Sequence, residues 1–242
     1  MSLSKNQIKL IQSLRQKKQR TKQQLFVAEG VKVVKELLNS TFTLEALFMT
    51  EEVQNEFARW PFQIISSLEL KKVSSLKTPN AVLALFRIPE QQAIKTEGLI
   101  VALDALNDPG NLGTIIRLCD WFGAEQLVCS INTVDCFNEK VVQATMGSLS
   151  RVQIHYVDLE PFLKGTKLPV YCADMVGENV YTSTLPEAGV LVMGNEANGV
   201  SEKIRNSCTH QLSIPRFGNS QETESLNVAT ATAILLSEFR RS

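Results

Sequence analysis

Leu191-Val192-Met193-Gly194-Asn195-Glu196-Ala197-Asn198-Gly199-Val200-Ser201 is the stretch around which the rest of the chain is organised. An apolar run from Val190 to Met193 stops at a glycine, a polar pair follows, and a second glycine leads to Ser201, an N-cap for a new helix. A buried strand that delivers a carboxylate to a loop at its carboxyl end is the usual site architecture of α/β folds. The Gly-x-x-x-x-Gly spacing mimics a phosphate loop, but Val200 occupies the place of the phosphate-binding lysine, which argues against a nucleoside triphosphate. Taken alone, the stretch is no more than a strand-to-helix turn whose glycines serve backbone geometry.

Outward from that loop, the composition sets the class. A chain of 242 residues with 44% hydrophobic and 21% charged side chains can bury a sizeable core as one large or two ordinary domains. No apolar run reaches the length of a membrane span, and the N-terminus lacks a signal-peptide core. Cys119, Cys129, Cys136, Cys172 and Cys208 form no C-x-x-C pair and read as reduced thiols of a cytoplasmic protein. His155 and His210 are the only imidazoles, so no metal site is expected.

The zero net charge conceals a division. Residues 1–98 carry 15 Lys and Arg against 9 Asp and Glu, and residues 99–242 carry 10 against 16. Lys5, Lys9, Arg15, Lys17, Lys18, Arg20 and Lys22 all precede the first acid, Glu29. Such a run attracts polyanions by counterion release and is read here as a nucleic-acid footprint, ahead of a merely solvated helix face.

Periodicity gives two α/β domains. Residues 4–18 place Ile8, Leu10, Ile11 and Leu14 on one helical face, and 31–39 repeat that period. Strands are expected at 44–49, 62–65 and 81–88, with helices at 51–59 and 67–72. Residues 1–90 therefore form a small domain with a basic front end, and the polar segment 91–97 a linker. In 98–242 the alternation restarts, with strands at 99–103, 127–129, 154–157, 170–172, 190–193 and 211–214. Helices are expected at 112–122, 138–145, 158–164, 201–207 and 225–240. Strands this apolar argue for a parallel sheet with helices on both faces.

Two further motifs flank the central loop. In Asn107-Asp108-Pro109-Gly110-Asn111-Leu112-Gly113-Thr114-Ile115-Ile116-Arg117 a turn follows a strand, and Asn111 is expected to cap the next helix. Arg117 in so apolar a helix needs an anion, a route to water or a carboxylate partner. Ile214-Pro215-Arg216-Phe217-Gly218 ends another strand, and Glu224-Ser225-Leu226-Asn227-Val228-Ala229 opens a helix whose first turn offers Ser225 and Asn227. Free N–H groups there suit a carboxylate or polar ligand edge, though simple capping would also account for the two side chains.

In this order, over roughly residues 99–240, the three motifs resemble those of the SpoU (TrmH-like) branch of the SPOUT methyltransferases. The basic front end with Phe26-Val27-Ala28-Glu29-Gly30 is similar to the substrate-binding domain of its ribosomal-RNA members, an L30e-like α/β domain. The resemblance implies methyl transfer from S-adenosylmethionine to a ribose 2′-oxygen of RNA, most simply 23S ribosomal RNA. Transfer RNA, or a non-catalytic RNA-binding factor of the same fold, stands as the alternative. It also implies a homodimer and a C-terminal trefoil knot, which composition and periodicity cannot show.

Matched residue by residue, Asn111 and Arg117 correspond to the family's first motif, Glu196 to its second, and Ser225 and Asn227 to its third. Arg117, Asn111, Glu196 and Asn227 are the implied catalytic set, with Met193, Gly194, Ile214, Ser225, Leu226 and Ala173 around the cofactor and 173–177 against its adenine. Ala197 stands where a glycine is usual, and the loop from Arg216 to Glu224 is longer than typical. Guanidinium holds its proton above pH ~12, so Arg117 is expected to clamp an RNA phosphate, the base remaining open. A dinucleotide enzyme is disfavoured, because no Gly-x-Gly-x-x-Gly follows the strand at 99–103.

Overall fold

The computed structural model describes residues 2–218 and 225–241. Its contacts divide into two units, Met1–Glu90 with Asp135–Ser150, and Gln91–Val134 with Arg151–Ser242. The 135–150 segment thus belongs spatially with the first unit, although it lies in the second half of the chain. Sequence alternation cannot reveal this, because a strand–helix pattern looks the same whichever sheet the helix packs on.

In the first unit, α1 (Lys5–Ser13) is closed at its start by a reciprocal capping box between Ser4 and Gln7. The helix expected across 4–18 breaks after Leu14, and α2 (Lys17–Gln23) follows. Ile11 and Leu14 are fully buried, and Arg20 folds back so that Nη1 donates to the carbonyls of Leu14 (2.8 Å) and Arg15 (3.0 Å). That side chain satisfies carbonyls the helix end would leave orphaned. Its Nε and Nη2 reach Asp135 Oδ2 at 2.8 and 2.5 Å. Arg15 likewise donates to the carbonyls of Val73 and Ser74. Two members of the basic run therefore hold the fold, which narrows the footprint expected from charge alone.

Residues 25–29, assigned no element from sequence, form β1 (Leu25–Glu29), buried along its whole length. After α3 (Val31–Leu38) come β2 (Leu44–Met49), a 3₁₀ turn at Glu51–Phe57 in place of the expected helix, β3 (Gln63–Ile64), α4 (Ser67–Val73) and β4 (Val82–Arg87). The sheet order is β1-β4-β2-β3, antiparallel except for the β2–β3 pair. Helix Glu139–Thr145 packs on β1, where Phe137 and Phe26 meet with ring centroids 4.8 Å apart.

The second unit is a wholly parallel sheet of β5 (Leu99–Leu103), β6 (Gln126–Ser130), β7 (Gln153–Val157), β8 (Val170–Asn179), β9 (Gly189–Met193) and β10 (His210–Ser213), in the order β10-β8-β9-β5-β6-β7. Side chains alternate between its faces. Ile100, Ala102, Val128, Val190 and Val192 pack with Leu159, Leu163 and Ile204, which come from the helices Leu159–Gly165 and Glu202–Arg205. On the other face Tyr171 meets Phe239 of the last helix, Val228–Phe239, edge-on at 5.2 Å, and that helix packs against Pro109–Phe122. Helices thus cover both faces, as the apolar strands require. Leu236 and Phe239 are 0% and 4% exposed within the single chain, so the apolarity of the last helix is used on its own sheet. None of the described helices is long and apolar enough to cross a membrane.

Candidate active site

Three segments converge at the carboxyl edge of the parallel sheet. After β9 the chain makes a closed loop, in which Asn195 and Gly199 exchange backbone hydrogen bonds of 2.9 Å each way. Asn195 Oδ1 accepts from the backbone N–H groups of Ala197 (2.9 Å) and Asn198 (3.3 Å). Gly199 is left-handed at φ +66°, and a Cβ on Gly194 would lie 2.1 Å from the Gly199 carbonyl carbon. Both glycines are therefore dictated by geometry, one by conformation and the other by backbone crowding.

The loop is stitched to the end of β5. Met193 O accepts from Asp104 N–H, Ser201 N–H donates to Asp104 Oδ2 (2.8 Å), and Asn195 Nδ2 donates to Ala105 O (2.8 Å). Ala105 itself sits at φ +54°, a conformation disfavoured for a residue with a Cβ and tolerated because both its N–H and its carbonyl are held. Ser201 is the N-cap residue of the short helix, but its side chain makes no cap hydrogen bond.

From β5 the chain enters helix Pro109–Phe122, whose N-cap is Asp108, not Asn111. The Asp108 carboxylate accepts from Asn111 N–H at 2.8 Å, and Pro109 fills the first helical position, where no N–H is needed. Asn111 is thereby released for another task. Its Nδ2 donates to Glu196 Oε1 (3.1 Å), and its Oδ1 accepts from Asn227 Nδ2 (2.9 Å). Asn227 is the N-cap of the last helix, its Oδ1 accepting from Ala229 and Thr230 N–H. Asn227, Asn111 and Glu196 thus form one chain across the three motifs.

Glu196 also accepts from the backbone N–H groups of Asp108 (3.1 Å) and Asn107 (3.4 Å). Burial acts to raise its pKa, but the Asn111 side chain and the backbone donors of Glu196, Asp108 and Asn107 outweigh that effect. The carboxyl is held below its ordinary value and is ionised near neutrality. Arg117, by contrast, is exposed on its helix, and its guanidinium makes no ion pair or hydrogen bond with any described residue.

Beside this chain opens a cavity of about 650 Å³, lined in part by Ala173, Met193, Gly194, Ile214, Ser225 and Leu226, all six of the residues expected around a cofactor. Glu196 lines it too, whereas Asn111 and Asn227 reach it through Glu196. Of the segment 173–177, Ala173, Asp174 and Met175 contribute. Sequence reading missed the ion pair between Arg205 and Asp174, 2.9 Å apart in the wall, and Arg205 Nη2 also donates to Val200 O (3.4 Å). Neither residue belongs to a spaced motif: Asp174 lies within β8, which runs on past the strand expected at 170–172, and Arg205 ends a short helix. Residues 219–224, the bulk of the loop expected to be long and including Glu224, lie outside the described residues. Among the described residues, no cluster of three or more His, Cys, Asp or Glu could hold a metal ion.

A closed glycine loop, a cavity at the carboxyl edge of a parallel sheet and a polar chain joining three motifs make up a ligand site of the α/β kind. Residues 98–237 match the SpoU rRNA Methylase family, and residues 5–84 match the MRM3-like substrate binding domain. The chain belongs to the SpoU rRNA methylase family. It is 30% identical over 251 residues, covering 98% of this chain and 97% of the relative, to the 23S rRNA (guanosine(2553)-2'-O)-methyltransferase RlmP of Bacillus subtilis. It superposes on a TrmH-family protein from Porphyromonas gingivalis with TM-score 0.90 and 38% identity, covering 99% of this chain and 98% of that one. An AdoMet-bound rRNA methyltransferase from Sinorhizobium meliloti aligns with TM-score 0.87 and 28% identity over 100% of this chain and 97% of that one.

The cavity suits S-adenosylmethionine. Met193, Leu212, Ile214 and Leu226 offer apolar surface for an adenosyl group, and the backbone turns of the 194–199 loop offer polar edges. No lysine stands in that loop to meet a triphosphate.

Proposed function

We propose that this protein methylates a ribose 2′-hydroxyl of ribosomal RNA in the cytoplasm, with S-adenosylmethionine as donor. The observation that carries this is the Asn227–Asn111–Glu196 chain beside the cavity. Bound there, the donor supplies a methyl carbon already activated by the sulfonium, so orientation and electrostatics are the protein's main tasks. Met193, Gly194, Ile214, Ser225, Leu226 and Ala173 would hold it. Glu196 is a positioning residue rather than a base, since its depressed pKa and its donors leave it little tendency to take a proton. Asn111 and Asn227 keep the three loops in register. Arg117, exposed and without an ion pair among the described residues, is free to clamp an RNA phosphate and orient the hydroxyl.

The finer architecture follows the same family resemblance. The C-terminal segment forms a trefoil knot, the first unit is L30e-like and binds the RNA, and the protein works as a homodimer. Trp121, 84% exposed on helix Pro109–Phe122, supports an interface there, whereas Leu236 and Phe239 do not.

Calorimetry with S-adenosylmethionine, ATP and NAD, followed by mass mapping of 2′-O-methyl sites in ribosomal RNA from cells with and without the protein, tests this reading. Micromolar methyl-donor binding and one site lost in the deletion are expected. Binding of ATP alone, or a lost site in transfer RNA instead, would overturn it.

A further inference from the structure

Phe217 is the feature of the cavity that cofactor binding does not account for. It contributes to the lining, yet it is 81% exposed, against 38% for Phe62, the only other exposed phenylalanine among the described residues. Its ring lies against Tyr181, with centroids 6.2 Å apart and planes inclined at 35°. Tyr181 is in turn held by its backbone, N–H to Asn179 Oδ1 (3.0 Å) and carbonyl to the Arg241 guanidinium (3.1 Å). Leu226, also in the lining, is 47% exposed. The mouth of the cavity therefore presents an aromatic face to solvent, supported by a second ring.

A water-exposed aromatic at the entrance to a reaction site gains free energy from any flat apolar partner that covers it. The enclosed part of the lining, Met193, Leu212 and Leu235, is where an adenosyl group would be shielded. The open part is where a macromolecular substrate must approach. For a ribose hydroxyl to enter a recessed cavity, its nucleotide must leave regular helical stacking, and unpaired bases in RNA are habitually received by aromatic side chains.

We propose that Phe217 is the stacking platform for the base of the methylated nucleotide, a positioning residue that holds the ribose over the cavity. This rests on the methyl-transfer reading above. Stacking asks for a π-face and not a hydrogen-bond pattern, so the platform positions any base and leaves sequence choice to other contacts.

The test compares Phe217→Ala, Phe217→Leu and Phe217→Tyr in the full-length protein. The methyl acceptor is ribosomal RNA from cells lacking it, and the donor is radiolabelled S-adenosylmethionine. Ala and Leu should each raise KM for the RNA about tenfold or more, the scale of one lost base–aromatic stack, while Tyr stays within about twofold of wild type. The donor's Kd should not move, and the slope of log affinity against log salt should be unchanged, because no phosphate contact is removed. Wild-type behaviour of Phe217→Leu would show that apolar bulk suffices and overturn the proposal. So would weakened donor binding with unchanged RNA KM, or a shift from dimer to monomer by light scattering. Wild-type protein that binds the donor but leaves ribosomal RNA unmethylated would refute the methyl-transfer reading instead.

Discussion

Each unit of the molecule shifts the pKa of a glutamate, and the two shifts run in opposite directions. In the first, Glu139 lies at the start of helix Glu139–Thr145, where burial pushes its pKa up. A hydrogen bond from Ser75 and the charges of Arg15 and Arg20 lower it only in part, Glu29 raises it further, and Oε1 finds no hydrogen-bond partner among the described residues. In the second, Glu196 feels burial too, but a side-chain amide and backbone N–H groups hold it below its ordinary value. The number of donors aimed at the carboxylate, not its burial alone, decides which form the fold favours. Polar groups of the first unit serve its architecture; those of the second keep three loops in register around a cavity.

The sharpest way to break that contrast is Arg20→Ala. The side chains of Arg20 and Asp135 are 3% and 14% exposed, so the substitution strands a nearly buried carboxylate and two helix-end carbonyls. Breaking a buried pair from one side costs about 3–5 kcal/mol, enough to threaten a domain of this size. Urea unfolding should show a loss of that order, with Arg20→Lys falling between. A change under about 1 kcal/mol would return Arg20 to the solvated basic face that charge counting suggested.

Gly194→Ala probes the other unit and should have the next largest effect. The added Cβ would meet the Gly199 carbonyl carbon at 2.1 Å and Val200 N at 2.2 Å, both backbone atoms that cannot rotate away. The loop must open, displacing Glu196 from the donors it shares with the other two motifs. A shift of about an ångström at such a site costs on the order of a hundredfold in rate. Activity and donor affinity should fall together, and the melting temperature should fall with them, because backbone and not a side-chain tip must give way. Unaltered donor affinity would mean that the closed loop does not shape the cavity.

These two positions also mark what the sequence makes legible. Gly194, Glu196 and the apolar strand before them are local, so strand, loop and candidate site could be read from spacing. The order of the parallel strands and the joining of Asn111 to Asn227, 116 positions apart, depend on how loops meet in space. Three motifs standing together assign Asn111, Glu196 and Asn227 to one site, but they say nothing of strand order or of which side chain bonds to which. Arg20 was misleading because its partner, Asp135, lies 115 positions away and a local charge count cannot see it. Asn111 was misread as a cap because Asp108, three residues earlier, is an equally good capping residue and Pro109 favours it. β1 was missed because its single charge, Glu29, makes a buried strand look like a turn, whereas Ser74 and Ser75 satisfy that carboxylate inside.

The smallest expected effect returns to the two glutamates and follows from their signs. Glu196 has a depressed folded pKa, so its stabilising share is present above the unfolded value of 4.5 and is lost as pH falls through the lower folded value. For Glu139 the order is reversed. Its folded pKa lies above 4.5, so the protein loses stability as pH rises from that value through the raised one. Glu139→Gln removes the ionisation and keeps the shape. The variant should therefore melt slightly higher than wild type near neutrality, and the two should converge toward pH 4, where Glu139 is protonated in the native protein. Glu196→Gln should not show this pattern, because its ionised form is the one the fold favours. Parallel melting curves for Glu139→Gln and wild type across that range would mean that Glu139 is solvated and satisfied, and that the two units treat their carboxylates alike.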